Sequence, residues 1–542
     1  MFKFFRHFLN GESKTITSAA MVLAATSLAS RLIGMLRDRS LAGNFGVGEQ
    51  LDIYFAAFRV PDFLYNLLIL GALSAGFIPI FTAALAKADG REAAWRMANG
   101  VLHLLTGAVG ILLVLGVIFA GKLVPLIVPD FSPEAMEKTV SLTRIMFLSP
   151  LFLGFSTVFG GILQSFKRFV IFSLGPIFYN LGIILGAEVF VRFWGLEGLA
   201  WGVVLGSFLH FAIQIPALVE LGYRYQWVWA WREPFIREIM TLMIPRTLGL
   251  AVTQLNLVAM TVIAGGLAEG SISVFNLANN FQSFAVGIIG LSFAIAAFPA
   301  ISEAVAREDR ADLLRHASAT IRQIFLFILP ATVLFLLLRG QIVRVVLGTG
   351  SFDWDATRLT ADTLAFFVIS LAAQSLIPLL ARIFYAYRDT VTPFVIGLVA
   401  VAMNIGFALW LREPLGVRGL ALAFSASAVV QCLLLWIALR GRLQTLDELA
   451  VLRSLYKMAV ATLGMAVTVQ SLKVPLDWLL NTQTFVGIFL QGFLAGLSGL
   501  VVYVMIGILF RSEEIILLVT SLRKKFFREF MPKETADEAT GP

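Results

Sequence analysis

Fourteen apolar runs, most of them about 20 residues or longer, divide this chain of 542 residues. They fall at 16–37, 51–86, 97–121, 139–165, 170–191, 198–220, 238–265, 270–304, 316–343, 359–386, 391–411, 417–439, 452–472 and 483–510. A run of that length spans the hydrocarbon core of a bilayer as an α-helix. No water reaches that core, so every backbone N–H and C=O has to be satisfied within the segment. The expected fold is an all-α polytopic membrane protein with fourteen transmembrane helices. Pro61 and Pro79 in the second run, Pro176 in the fifth and Pro245 in the seventh predict kinks.

The composition agrees. Hydrophobic residues make up 58% of the chain and charged residues 14%, with a mean hydropathy of +0.86. A soluble domain is closer to half apolar and a quarter charged. The net charge of +8 reads as topology rather than as nucleic-acid binding. With the N-terminus inside, 27 Lys and Arg fall on the cytoplasmic side and 11 on the outer side, and Arg31, Arg59, Arg144 and Arg246 lie within spans. An even number of spans then puts both termini in the cytoplasm. The opening "MFKFFRHFLNGESK" reads as a cytoplasmic tail before a retained first helix, because no small-residue cleavage site follows it. The closing "SLRKKFFREFMPKE" suits the anionic inner membrane surface. The single cysteine, Cys432, excludes a disulfide framework within one chain, and four scattered histidines offer no metal-binding spacing.

The chain repeats itself. "PIFTAALAKADGREAA" (79–94) resembles "PAISEAVAREDRADLL" (299–314), matching Pro79 with Pro299, Lys87 with Arg307 and Asp89 with Asp309. "GLEGLA" (195–200) resembles "GVRGLA" (416–421), 221 positions on. Spans one to six thus recur as seven to twelve. The expected organisation is a tail at 1–15, an N-lobe at 16–222, a C-lobe at 235–440, two added helices at 450–510 and a basic tail at 511–542. A six-helix unit is even, so the two lobes run parallel and are related by an axis along the membrane normal. Two such lobes around a central cavity form a transporter architecture.

Charge inside a bilayer costs on the order of a few kcal/mol per residue and marks function by default. The first span ends "SRLIGMLRDRSLAGNFG", which carries Arg31, Arg37, Asp38 and Arg39. Arg31 and Asp38 are seven apart, about two turns along one helix face. Asp52 and Arg59 in "LDIYFAAFRVPDFLYN" have the same spacing, and Pro61 follows them. Two neighbouring helices therefore carry acid and base in register, and ion pairing lowers the cost of burying them. Arg37, Asp38 and Arg39 have a second reading as the outer end of the first helix among headgroups, and Arg59 as a structural partner of Asp52. The second lobe is neutral-polar, with Gln254, Asn256, Asn276, Asn279, Asn280 and Gln282, apart from Arg246. Arginine suits bidentate contact with phosphate. A cationic cavity open to lipid fits a large amphiphile with a phosphate-rich head and fits a cationic drug poorly.

The stretch "SRLIGMLRDRSLAGNFGVGEQLDIYFAAFRVPDFLYNLLILGALSAGFIPIF" resembles the N-terminal signature of the MurJ/MviN family, the lipid II flippases of bacterial peptidoglycan synthesis. "ILQSFKRFVIFSLGPIFYN" (162–180) and "ARIFYAYRDTVTPF" (381–394) are similar to that family's connections after the fourth and tenth spans. The resemblance implies the two-lobe fold shared with MATE drug antiporters and polysaccharide-unit exporters. It implies a flippase that moves undecaprenyl-pyrophosphate-linked disaccharide-pentapeptide to the outer leaflet of the bacterial cytoplasmic membrane by alternating access. It implies that Arg31, Arg37, Asp38 and Asp52 are cavity residues, the arginines contacting pyrophosphate, with a lipid-tail groove at the last two helices. Membrane lipids and the cell-wall synthesis machinery are further partners of that reading, and no cofactor is implied.

The resemblance departs at three places. Tyr65 stands where some relatives have a basic residue, and Asn280 where some have an arginine in the eighth helix, so Arg246 is the remaining second-lobe candidate for a phosphate contact. Some relatives bind sodium through carboxylates in helices seven and eleven, but 240–265 and 391–411 hold no Asp or Glu. Membrane potential and protons are the open alternatives. An enzyme finds no support in paired carboxylates, a His–Asp pair or a Walker-type loop, and "GTGSFDWDATR" (348–358) reads as a turn-rich connection. The rival readings are an exporter of another polyprenyl-linked glycan, a multidrug antiporter, which would need acidic cavity groups, and a non-transporting scaffold.

Overall fold

The computed structural model describes residues 16–86, 90–228 and 233–530, and within these the side chains of 16–24, 68–76, 240, 242–246, 248–249 and 522–530 lie outside the described set. Both expected tails beyond those limits, the Lys87 and Asp89 repeat matches and the side chains of Pro245 and Arg246 therefore fall outside the described residues.

Every described element is a helix. Helix α1 (Ile16–Phe45) is followed by α2 (Glu49–Leu64), a π-helical turn (Tyr65–Leu70) and α3 (Gly71–Leu85). Next come α4 (Gly90–Ile127), α5 (Pro133–Met146), α6 (Leu148–Ser165) and α7 (Phe169–Leu185), a second π-turn (Gly186–Phe190), α8 (Val191–Trp194), α9 (Glu197–Ala212) and α10 (Ile215–Glu220). After the linker stand α11 (Pro234–Gly265), α12 (Ser271–Val286), a third π-turn (Gly287–Leu291), α13 (Ser292–Ala306), α14 (Arg310–Leu337) and α15 (Arg339–Leu347). The chain ends with α16 (Trp354–Val368), α17 (Leu371–Ala386), α18 (Val391–Leu415), α19 (Val417–Leu443), α20 (Glu448–Leu479), α21 (Phe485–Leu509) and α22 (Glu513–Phe530).

Among the described residues, ten helical segments are long and apolar enough to cross a membrane, or eleven if α16 and α17, bent by 46° at their junction, count as one. The other three expected runs, 16–37, 51–86 and 238–265, are also helical. The second run is two helices around a π-turn rather than one kinked helix. Pro61 removes a donor from the α2 ladder, and the extra residue per turn begins four residues later.

The chain forms two compact units that interleave in sequence. The first holds residues up to Ala278, Val346–Thr363 and Val401–Phe424. Its core gathers Phe77, Phe81, Trp95, Phe159 and Ile162, with the Phe77 and Phe81 rings stacked at 5.2 Å. Helices α7 and α9 touch backbone to backbone. A Cβ at Gly182 would lie 2.2 Å from Gly206 Cα, and one at Gly186 would lie 2.6 Å from Gly202 Cα. Small residues four apart allow such approach where apolar burial gives helices no net attraction. The second unit holds Asn279–Val345, Leu364–Ala400 and residues from Ser425 onward. Ile321, Leu371, Leu379, Phe384 and Leu439 join α14, α17 and α19, while Met458, Met465, Ala495 and Tyr503 join α20 and α21 against Leu326. Large apolar side chains face outward, among them Leu28, Leu32 and Leu36 of α1 and Ile111 and Ile118 of α4, as a lipid solvent demands.

The repeat is written in the backbone. At the end of α6, Lys167 has φ 58°, and 221 positions later Arg388, after α17, has φ 59°. Arg168 N–H donates to Leu163 C=O and Asp389 N–H to Phe384 C=O, so the same helix-ending turn closes both. Gly195 and Gly416 form a second matched pair, φ 55° and 57°, each followed by a Gly N–H bond back to its carbonyl at 3.0 Å. The π-turns at Tyr65–Leu70 and Gly287–Leu291 also correspond. After α17 the Thr392 backbone N–H and hydroxyl both donate to Asp389, which holds this loop carboxyl below its usual range.

Candidate functional site

The charged face of α1 turns away from its exposed leucine stripe and toward α7. Arg37 donates to Asp38 Oδ1 from Nε at 3.0 Å and from Nη2 at 2.7 Å, and its Nη1 donates to Asn180 Oδ1 of α7 at 3.0 Å. Asp38 is buried, so this two-pronged pairing with its neighbour offsets the cost of removing the carboxylate from water. Gly34, one turn earlier, faces Asn180 as well. Arg31 is half-buried on the same helix.

A cavity of about 230 Å³ opens beside it. Arg37, Asp62, Tyr65, Ser149, Tyr179 and His210 supply its polar lining, and Pro61, Pro150 and Pro176 much of the rest. Asp62 Oδ1 accepts from Asn66 Nδ2 at 3.0 Å. His210 Nδ1 lies 2.5 Å from Ser156 Oγ, which also accepts from Gln214 Nε2. Sequence reading passed over Asn180, Asp62, Tyr179 and His210. Asp62 carried a signal, a carboxylate one residue after the helix-breaking Pro61 in an apolar run.

Asp52 and Arg59 do not pair with each other. Seven residues of helix separate them by about 10 Å along the axis, too far for one ion pair. Asp52 is buried and accepts the backbone N–H of Gly270 and of Ser273, both at 2.7 Å, at the start of α12. A carboxylate suits that helix N-terminus, where N–H groups lack intrahelical partners. Arg59 donates from Nε to Thr261 Oγ1 of α11 at 2.7 Å and from Nη2 to Asn276 Oδ1 of α12. Further along α1, Arg39 Nη1 donates to Val346 C=O and Ser351 N–H donates to Gly43 C=O at 2.8 Å. The "GTGSFDWDATR" segment is therefore fastened to the end of α1, not a free turn. Asn280 is half-buried in the second unit, and the Arg246 side chain is outside the described residues. Between α11 and α18, Asn404 Nδ2 donates to Asn256 Oδ1 at 2.7 Å.

An internally repeated bundle of long apolar helices, with one arginine–carboxylate pair packed beside a polar cavity, is the arrangement of a polytopic membrane transporter. The family model of the lipid II flippase MurJ matches residues 41–517, and the chain belongs to that family. A lipid II flippase MurJ of Burkholderia cenocepacia is 28% identical over 434 residues, covering 78% of this chain and 84% of its own. A probable lipid II flippase MurJ of Vibrio cholerae is 30% identical over 444 residues, covering 78% and 83%. Among solved structures, a MurJ in an inward closed conformation aligns at TM-score 0.75 with 22% identity, over 92% of this chain and 100% of that one. An inward-facing MATE multidrug transporter of the MOP superfamily aligns at TM-score 0.65 with 16% identity, over 78% and 99%. These two likenesses carry the shared fold.

Proposed function

We propose that this chain is a flippase that carries lipid II, the undecaprenyl-pyrophosphate-linked disaccharide-pentapeptide, from the inner to the outer leaflet of a bacterial cytoplasmic membrane. The observation that carries the reading is Arg37, held by Asp38 and Asn180 at the edge of the polar cavity, in a chain of the MurJ family. Its planar donors fit phosphate oxygens, and Arg31 on the same helix adds a second cation. In this reading fourteen spans form two parallel six-helix lobes, both termini are cytoplasmic, and α20 and α21 guide the lipid tail. Arg246 and Asn280 stand as the second-lobe contacts to the headgroup.

Alternating access requires contacts that exist in one state and break in the other. Six bonds join first-repeat to second-repeat residues within the first unit: Asp52 to Gly270 and Ser273, Arg59 to Thr261 and Asn276, Arg39 to Val346, and Gly43 to Ser351. In the proposed cycle they close the outer side while the headgroup enters from the cytoplasm. Reconstituted in liposomes loaded with lipid II, the protein is expected to deliver lipid II to the opposite leaflet, read by an enzyme added outside. Binding without delivery would leave a lipid II receptor, and absence of both would favour another polyprenyl-linked glycan.

A further inference from the structure

The linker between the two repeats carries an aromatic residue at every second position: Tyr223, Tyr225, Trp227, Trp229 and Trp231, the last two outside the described residues. Its stretch from Tyr223 to Val228 is non-helical and lies along the first turns of α4. Asn99 of α4, fully buried, donates from Nδ2 to Arg224 C=O at 3.0 Å, and its Oδ1 accepts from the Tyr223 hydroxyl at 2.6 Å. One turn on, His103 Nε2 lies 2.8 Å from the Tyr225 hydroxyl and Nδ1 lies 3.2 Å from Val228 C=O. The His103 ring also packs against the rings of Tyr225 and Trp227, with centroids 5.3 and 4.7 Å away. Tyr223 and Val228 pack on the apolar core of the first unit. Tyr225 and Trp227, held as firmly, leave 62% and 74% of their surface uncovered. An apolar patch left open and rimmed by polar groups marks a partner outside the chain.

Helix α4 tells which partner fits. Its 38 residues make a rod of about 57 Å, nearly twice the hydrocarbon thickness. Its large exposed apolar side chains run from Ile111 to Leu126. A span of about 20 residues that ends at Leu126 begins near Gly107, so His103 stands about 6 Å outside the hydrocarbon edge. That is within a headgroup layer about 5 to 7 Å thick. His103 also shares a helix face with Gly107 and Val114, four and eleven positions on, and both are exposed, so the open rings continue the lipid-facing side of α4. Non-helical backbone does not enter hydrocarbon, but water and headgroups satisfy it at this depth. Tyrosine and tryptophan favour the same layer, and the exposed Arg224 adds a cation for lipid phosphate. We infer that the linker is an interfacial strap: Tyr225 and Trp227 sit among phospholipid headgroups at the edge of the bilayer, and Asn99 and His103 hold them there. The link between the repeats is thus fastened to the first copy and to the lipid rather than hanging as a free tether. The inference goes beyond the flippase reading and needs only that α4 cross a bilayer.

The test puts a fluorophore on the strap of the full chain in nanodiscs of phosphatidylcholine and phosphatidylglycerol. Cys432→Ser removes the native thiol, and Trp227→Cys takes an environment-sensitive label. A nitroxide on the lipid headgroup is expected to quench that label at least about twofold more than a nitroxide at mid-chain, and aqueous iodide is expected to quench it weakly. Adding His103→Ala, with the melting temperature reporting the fold, should lower the headgroup quenching and raise that by iodide. A label quenched by iodide alone stands in water, open to a soluble partner or to none, and overturns the inference. A label shielded from iodide and from both nitroxides is packed on protein, and one quenched most at mid-chain is in hydrocarbon; either overturns it as well. An unchanged pattern in His103→Ala would overturn the role of the clasp. The native indole provides a second reading that does not depend on the cysteine variant. The tryptophan emission that Trp227→Phe removes should be quenched by lipid brominated near the headgroup and little by lipid brominated at mid-chain, and removed emission that neither lipid quenches would contradict the strap.

Discussion

Asp52 accepts the backbone N–H of Ser273 at 2.7 Å, and the two residues stand 221 positions apart, the spacing of the internal repeat. The bond joins corresponding positions of the two copies. With the Gly270 N–H it leaves Asp52 fully engaged at the start of α12. Asp52→Ala strands two buried donors and is expected to cost on the order of 2 to 5 kcal/mol. Asp52→Asn keeps one acceptor and should cost less. Thermal melting in detergent measures both, and equal melting of Asp52→Ala and the wild type would contradict the assignment.

The fastening of the 346–351 segment to α1 depends on Gly350. Its φ is +51°, and a Cβ there would lie 2.2 Å from Gly43 C=O. Gly350→Ala therefore combines a left-handed conformation, about 1 to 2 kcal/mol for an L-residue, with a backbone clash. The segment is expected to detach more often from α1. Maleimide labelling of a cysteine at Thr349 should accelerate several-fold in that background, and an unchanged rate would show that the contact does not hold the segment.

Arg37→Ala is expected to reduce lipid II delivery at least tenfold, while Arg37→Lys, a point charge without the fork, should fall between. Because Asp38 loses its partner, Arg37→Ala should also melt earlier. Adding Asp38→Asn is expected to restore the melting temperature but not transport. Restored transport in the double variant would make Arg37 a structural partner only.

Lys167 and Arg388 bear the same left-handed strain in the two copies. Lys167→Gly and Arg388→Gly should each stabilise by roughly 0.5 to 1 kcal/mol, since glycine adopts that conformation freely. Similar gains in melting temperature are the expected result. A gain in one and a loss in the other would break the equivalence of the two turns.

Much of this was legible in the sequence, and the reasons for the rest are physical. Apolar runs long enough to span and short sequence matches about 221 positions apart are one-dimensional signals, and the "GLEGLA"/"GVRGLA" match reappears as matched turns at Gly195 and Gly416. Arg37 and Asp38 stood out because charge in an apolar run is rare. Their partner Asn180 did not, because a single amide in α7 has no such contrast and becomes visible only when α7 packs on α1. The Asp52–Arg59 pairing failed because helical spacing reports a shared face, not reach. Both side chains found donors or acceptors more than 200 positions away.

The most direct test of the central claim is replacement of the resident lipid II flippase in a depleted bacterium by this chain, with lipid II on the outer leaflet as the readout. The account predicts restored exposure and growth with the wild type and neither with an inserted Arg37→Ala variant. Inserted wild-type protein that restores neither, or an Arg37→Ala variant that restores both, would contradict it.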